Sequence, residues 1–295
     1  MVSALEAIGK HLDREIVPVL KSQSIIRKLI PLNKQLSGKG IGLTAVETFN
    51  YAATGGASTD YMIQEHQSDT MDITSDTLKI PVQQQEITID ARTWKMLTSN
   101  GTKIESDSAA EMAANISVEQ DTNGIQSWKP DGTNVEIDGL YSVAGNTYAG
   151  ASFDTYGNAI LAATNAKKEL KADNIRSSAY NLTLHGDQYA ELEGSLSTTG
   201  VEEMPQVKRI LGAGGEVLES NDLTAGTGMV TPIASQENKR FFDLVEAQAP
   251  VNRVFVIGDP ETSPVHIRQV AAMTQRFKHL DSSDNDACVC TVTGI

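Results

Sequence analysis

Residues 104–121 read IESDSAAEMAANISVEQD, and this stretch decides the prediction of the fold. Ser108 and Glu111 have the spacing of a capping box, in which a serine hydroxyl and a glutamate satisfy the free N–H groups of a first helical turn. Apolar residues then recur with the period of one helix face, at Ala109, Met112, Ala113 and Ile116. Because alanines let another backbone approach closely, the sequence predicts a helix that lies flat on a sheet or on a second helix.

Short strand and helix patterns are mixed along the rest of the chain without a regular strand–helix–strand rhythm. Strands are predicted at 80–90, 180–184, 216–219, 229–233, 241–246, 253–257, 265–269 and 288–292. Helices are predicted at 3–21, 91–98, 152–171, 188–193 and 202–211. This order of elements favours an α+β fold with antiparallel strand pairing over a doubly wound parallel sheet.

The charge is distributed unevenly. The 295 residues carry a net charge of −14, so most of the surface repels free nucleic acid. Residues 1–39 nevertheless contain seven Lys or Arg against three acids, a net charge of +4 that leaves −18 for the remainder. A basic segment on an acidic body predicts contact with an acidic partner, and a neighbouring copy of the same chain qualifies.

The basic segment combines an amphipathic helix with an extended arm. The helix carries an apolar stripe at Leu5, Ile8, Leu12 and Ile16, and Pro31 with three glycines predicts an arm over 29–43. Two interpretations stay open, because the stripe can pack on its own domain or on a neighbouring subunit. In the second case we expect the stripe, together with Arg27 and Lys28, to lie at a subunit interface.

Residues 44–78 contain six acids and neither Lys nor Arg. Too few large apolar residues are present for a core, so we predict a two-stranded excursion that is stabilised by what it contacts. Its acids are therefore candidate interface residues, in particular Glu47, Asp60, Glu65, Asp69 and Asp72.

Motifs for catalysis, cofactors or metals are not apparent in the sequence. The five histidines are scattered, Cys288 and Cys290 are predicted to be free thiols, and the acids at 281–286 are interpreted as a solvated turn. No apolar run is long enough to span a membrane, and the charged first twenty residues do not fit a signal peptide. We expect no enzymatic activity, although a hydrolase or sugar-binding site gathered from dispersed residues stays open as a third class.

Four stretches occur in an order that resembles a known shell fold. They are IPVQQQEITIDARTWKML (80–97), AAEMAANISVEQDTNGI (109–125), IDGLYSV (137–143) and YNLTLHGDQYAEL (180–192). Their order resembles the Hong Kong 97-type fold, which is shared by major capsid proteins of tailed viruses and by encapsulins. The resemblance implies an N-arm at 1–43, an extended loop at 44–79, a peripheral domain at 80–135 and 250–295, and an axial domain at 136–249.

The resemblance also implies a structural function. The first expectation is a major capsid protein that forms hexamers and pentamers of itself, closes an icosahedral shell around viral double-stranded DNA and resides in the virion after assembly in the host cytoplasm. Contact with the DNA would be non-specific, and portal, scaffolding or cement proteins are further implied partners. The alternative is an encapsulin that encloses a cargo enzyme. Some relatives cross-link a loop lysine to a neighbour, but residues 44–78 lack lysine, so we expect non-covalent locking.

Overall fold

The computed structural model describes residues 24–51, 73–99, 104–173, 175, 177–233, 242–259, 261–277 and 288–295. The chain divides into two compact units. Unit 1 takes its described residues from Met1–Thr44, Lys79–Gly139 and Leu244–Gln275, and unit 2 takes its own from Ala45–Leu78, Leu140–Asp243 and Arg276–Ile295.

Unit 1 contains a long helix beside a three-stranded sheet. Its helices are α1 (Ile26–Leu29), α2 (Ala91–Ser99) and α3 (Ile104–Ile125), and its strands are β3 (Val82–Ile89), β4 (Ser127–Trp128), β5 (Ile137–Asp138) and most of β10 (Phe242–Val256) and β11 (Val265–Phe277). The sheet order is β10-β11-β3, and β3 and β11 are antiparallel with Ile89 opposite Val265.

The predicted central helix is confirmed as α3, which we call the spine helix. Its predicted capping box is wrong, because the helix already begins at Ile104 and Ser108 and Glu111 therefore lie inside it. The four residues of its predicted apolar face, at positions 109, 112, 113 and 116, are all buried. The helix ends at Ile125, four residues later than predicted, although Gly124 has low helix propensity. A Cβ atom at Gly124 would lie 2.5 Å from Cγ1 of Ile26, so this glycine allows α1 to pack directly on the last turn.

Two predictions for the sheet of unit 1 are wrong. The two strands predicted at 241–246 and 253–257 are replaced by one continuous strand, β10, over Phe242–Val256. The sequence AQAPV interrupts the apolar alternation and contains Pro250, which has no N–H to donate. A proline is tolerated in a strand at the edge of a sheet, and β10 occupies that position. The other error is the length of β11, which continues from Gln269 to Phe277 through buried small residues.

Unit 2 is built on a five-stranded mixed sheet. Its strands are β1 (Ala45–Tyr51), β2 (Ile73–Lys79), β6 (Asn146–Ala149), β7 (Tyr180–Leu184), β8 (Val217–Glu219), β9 (Thr227–Pro232) and β12 (Cys290–Thr293), and its helices are α4 (Asn158–Ala172), α5 (Gly186–Gly194) and α6 (Met204–Leu211). The larger sheet has the order β6-β12-β9-β7-β8. The α+β class is confirmed, but β12 pairs parallel to β6 and β7 pairs parallel to β8, which the order of elements does not predict.

The start of α4 differs from the sequence prediction. The helix begins at Asn158 rather than at residue 152, because Gly157 has φ +100°, which is outside the helical region. Phe153, which the helix predicted at 152–171 would include, is fully buried in the segment that precedes the helix. Asp243 forms an ion pair with Arg276 in this unit, where Nε and Nη2 of the arginine donate to the two carboxylate oxygens at 2.9 and 2.5 Å.

Both cysteines are free and buried, as predicted. Burial is the main cause that raises the pKa of Cys290 to about 12, with a smaller contribution from the negative charge of Glu169. Because only the thiolate reacts rapidly with disulfide reagents, the Cys290 thiol is expected to be inert in the folded chain.

We predict that an aromatic disulfide reagent at pH 8 labels neither thiol of the native protein during the time in which it fully labels a small thiol compound. The same reagent in denaturant is expected to label both. Rapid labelling of the native chain would contradict the described burial of this strand.

Candidate assembly surfaces

The first candidate surface begins where the N-terminal segment joins the spine helix. The Asp121 carboxylate is 5% exposed and accepts hydrogen bonds from Ser24 Oγ and from the backbone N–H groups of Ile25 and Ile26, each at 2.9 Å. These two N–H groups stand at the start of α1, where a carboxylate also interacts favourably with the helix dipole. Asp121 therefore holds the start of α1 against the spine helix.

The basic residues of this segment have different surroundings. Arg27 Nη2 donates to Glu246 Oε1 at 2.7 Å and to Gln120 Oε1 at 3.3 Å, so this guanidinium is paired within the subunit. Lys28 is exposed. The contact of both residues with a neighbouring copy stays a prediction, and Lys28 is the one whose charge is available to a partner. The predicted stripe at Leu5, Ile8, Leu12 and Ile16 lies outside the described residues.

The arm that follows α1 lies along β10 of its own subunit. Three backbone N–H groups of the arm donate to backbone carbonyls of β10. Asn33 donates to Leu244 at 2.8 Å, Gly38 donates to Glu246 at 2.9 Å and Gly40 donates to Ala247 at 2.7 Å. In return, Leu244 N–H donates to the Pro31 carbonyl at 2.9 Å. The arm thus occupies the edge of the sheet that β10 would otherwise present.

The acidic excursion starts as a pair of strands. β1 and β2 form a two-stranded sheet, as predicted, and Ile80 N–H donates to the Thr44 carbonyl at 2.9 Å beside it. Lys79 forms an ion pair with Glu136. Glu47 is exposed on β1, which leaves its charge available. The other predicted interface acids, Asp60, Glu65, Asp69 and Asp72, lie outside the described residues.

Exposed apolar side chains mark further candidate contacts, because burying a large apolar group in a subunit interface removes it from water and is favourable. In the described part of unit 2, the exposed large apolar residues are Leu161, Leu196 and Val201. Leu196 and Val201 belong to one short turn, in which Ser197 N–H donates to the Val201 carbonyl at 2.9 Å. Sequence periodicity did not single out these residues.

One buried carboxylate holds this turn against α4. Glu203 is fully buried, and Oε1 accepts from the N–H groups of Gly157 and Ile160 at 3.0 and 3.1 Å. Oε2 accepts from Ser195 Oγ at 2.7 Å. The carboxylate therefore caps the N-terminus of α4 and fixes the turn that carries Leu196 and Val201.

A charged network lies on one face of the sheet of unit 1. Arg268 Nε donates to Glu86 Oε2 at 2.6 Å, and His266 Nδ1 lies 2.7 Å from Glu86 Oε1. The Phe255 ring stacks on the His266 ring with centroids 5.2 Å apart. The hydrogen bond from Arg268, followed by the one from His266, lowers the pKa of Glu86 below its ordinary value of 4.5.

This shift predicts a pH dependence with a defined sign. A carboxylate whose pKa is lower in the folded chain adds stability above its unfolded pKa, and this stability is lost as pH falls through the folded pKa. We expect the melting temperature of Glu86→Gln to lie below that of the wild type at pH 7, and the difference to shrink below about pH 4.5. Glu111→Gln, at an exposed helix position, serves as the control with no such convergence. A difference that is constant from pH 7 to pH 3 would refute the assigned cause.

The described ranges contain neither a metal site nor a membrane span. Within those ranges, no cluster of three or more His, Cys, Asp or Glu side chains could hold a metal ion. Helices of the described segments are also too short or too polar to cross a bilayer. The acids at 281–286 lie outside the described residues.

Comparison with solved structures defines the class of the fold. The chain is similar to the capsid of Myoviridae phage XM1, with a TM-score of 0.67, 11% identity and coverage of 92% of each chain. It is also similar to Mycobacterium phage Ogopogo, with a TM-score of 0.63, 15% identity and coverage of 92% of each chain. A virus-like particle from Pyrococcus furiosus matches with a TM-score of 0.60 and 12% identity, over 96% of this chain and 98% of its own.

These similarities assign the Hong Kong 97-type fold, so the resemblance stated from the sequence is confirmed. The family comparison is more specific, because the family described as encapsulating protein for peroxidase matches residues 5–240. The chain belongs to this family of shell-forming proteins. No curated protein matches it.

Proposed function

We propose that this chain is a major capsid protein whose copies form pentamers and hexamers and close an icosahedral shell around the double-stranded DNA of a tailed virus. The observation that carries the proposal is the fold, which matches phage structures over 92% of both chains. The function is structural, and the proposal assigns no reaction to the chain.

The assembly proposal assigns a role to each domain expected from the sequence. Residues 1–43 serve as the N-arm, 44–79 as the extended loop, 80–135 and 250–275 as the peripheral domain, and 136–249 as the axial domain. The sheet of the axial range also contains β12 (Cys290–Thr293), which the sequence assigned to the peripheral domain. The acidic loop lies across a neighbouring subunit and the basic N-arm lies beneath one, so that opposite charges meet at subunit boundaries. Loop acids such as Glu47 and arm cations such as Lys28 are exposed in the single subunit, which supports this arrangement.

The same N-arm gives the proposal a test. Deletion of residues 1–20 removes the predicted apolar stripe and is expected to block shell assembly, while circular dichroism still reports a folded chain. The matched control is Lys10→Arg with Arg14→Lys, which keeps both the apolar stripe and the positive charge and is expected to assemble as the full chain does. A truncated chain that assembles shells as the full chain does would contradict the role of the arm.

An encapsulin shell is the second candidate, and the family assignment is the observation that favours it. In that case the shell encloses a cargo enzyme in a cell rather than viral DNA. The two candidates differ in what nuclease-treated particles contain. Protected DNA of uniform length supports the viral capsid, whereas a co-purifying enzyme without protected DNA supports the encapsulin.

A further inference from the structure

Helix α5 of unit 2 begins with an uncommon cap. Its N-cap residue is His185, and Nδ1 of the imidazole accepts a hydrogen bond from the backbone N–H of Asp187 at 3.2 Å. The side chains that usually accept this bond are those of Ser, Thr, Asp and Asn, which stay acceptors when the solution turns mildly acidic. A histidine differs from them, because its ring nitrogen accepts only while it carries no proton.

The direction of this hydrogen bond fixes the protonation state of the ring. A backbone N–H only donates, so Nδ1 of His185 presents its lone pair and the ring proton stands on Nε2. The side chain is 20% exposed, so a proton from the solvent reaches it. A proton on Nδ1 would leave the Asp187 N–H without its acceptor. The Asp187 carboxylate would then gain a partner, because its Oδ2 lies 3.5 Å from Nδ1.

The cap is connected to a turn at 224–227 and through it to Ile295. The His185 N–H donates to the Thr227 carbonyl at 3.4 Å. Gln188, in the first turn of α5, is buried, and its Oε1 accepts from the Gly226 N–H at 2.9 Å. The Gly226 carbonyl accepts from the Ile295 N–H at 3.2 Å. The first turn of α5 therefore helps to hold the 224–227 turn in place.

We propose that His185 is an acid-sensitive cap, which closes the first turn of α5 when neutral and, when protonated, releases the Asp187 N–H and pairs with the Asp187 carboxylate instead. Histidine is the side chain that ordinarily gains its proton between pH 8 and pH 5, so the change belongs to mild acid. It loosens the first turn of α5 and, through Gln188, the 224–227 turn. The proposal does not depend on shell assembly, because every residue in it belongs to unit 2 of one chain.

Other titratable groups lie near the cap, and the experiment has to separate them from His185. Glu219 of β8 is close to the start of the helix, since its Oε1 would lie 3.0 Å from a Cβ atom at the glycine that follows the cap. One turn along α5, burial and then the charges of Asp154 and Asp187 raise the pKa of Glu191. Substitution of His185 alone keeps all of these acids, so their titration is common to the proteins compared.

The test compares the wild type with His185→Asn, whose side chain caps a helix but does not titrate. Hydrogen exchange of the folded full chain is measured at pH 7.5 and pH 5.5, and each rate is divided by the rate for an unfolded chain at the same pH. In the wild type, protection of the Asp187 and Gln188 amides is expected to fall about fivefold at pH 5.5, the loss that one cap accounts for. In His185→Asn, protection is expected to be equal at the two pH values.

Two further variants keep the comparison decisive. His185→Ser repeats it with a smaller cap that does not titrate. His266→Gln removes a histidine of unit 1 and is expected to keep the full pH effect at Asp187. No fall in the wild type, or an equal fall in His185→Asn and His185→Ser, would overturn the proposal. Unchanged protection of the Gly226 amide, beside a fall at Asp187, would overturn its transmission through Gln188.

Discussion

Replacement of Glu203 by alanine is expected to lower the free energy of unfolding by about 3–5 kcal/mol. The substitution removes a buried carboxylate that three donors share, namely Gly157 N–H, Ile160 N–H and Ser195 Oγ. Two of these donors belong to the start of α4, where the N-cap residue is Gly157 and has no side chain that could cap the helix. Each buried donor left without an acceptor costs free energy, and the side chain of alanine cannot reach any of them.

A graded series separates the carboxylate from simple packing. Glu203→Gln keeps the shape and one acceptor oxygen, and the Ser195 hydroxyl can then accept from the new amide, so the expected loss is about 1–2 kcal/mol. Glu202→Ala is the matched control, because this adjacent acid is exposed and should change stability by less than about 0.5 kcal/mol. Urea denaturation measures the series. Equal losses for the variants at 202 and 203 would contradict the assigned role of Glu203.

Replacement of Asp121 by alanine is expected to cost about 2–4 kcal/mol and to release the N-terminal segment from the spine helix. The lost hydrogen bonds join Ser24, Ile25 and Ile26 to one carboxylate almost a hundred positions along the chain, so local structure cannot replace them. The half-buried Arg27 should then become accessible to trypsin. If the arm contributes to assembly as proposed, the variant also forms fewer shells.

The control for Asp121→Ala is Glu111→Ala, which removes an exposed acid from the same helix. We expect this control to keep both stability and resistance to cleavage after Arg27. Mass spectrometry after brief trypsin digestion measures the site of cleavage, and hydrogen exchange of residues 25–40 measures the release of the segment. Unchanged exchange in the Asp121 variant would show that the contacts with β10 hold the arm by themselves.

The sequence predicts the spine helix well because its apolar face has a strict period. The four residues that the pattern selects, Ala109, Met112, Ala113 and Ile116, are all buried. The helix also buries the polar residues Ser117, Gln120 and Asp121, which the pattern does not select. The position of the arm is harder to predict, because it depends on backbone hydrogen bonds to β10 that involve few distinctive side chains. Its glycines and proline indicate an extended chain but do not indicate where that chain lies.

The long-range roles of single acids also escape sequence reasoning. Asp121 and Glu203 each cap a helix that is distant in sequence, whereas capping motifs are recognised only within about four residues. Glu203 directly precedes Met204-Pro205, a signal for a helix start, yet its carboxylate caps α4 instead of its own helix.

The central claim is that many copies of this chain close into one shell, and electron microscopy of the purified full-length protein tests it most directly. We predict closed particles of uniform diameter with icosahedral symmetry, together with a megadalton species in size-exclusion chromatography. A sample that contains only monomers or small oligomers, under conditions in which the chain is folded, would contradict the account.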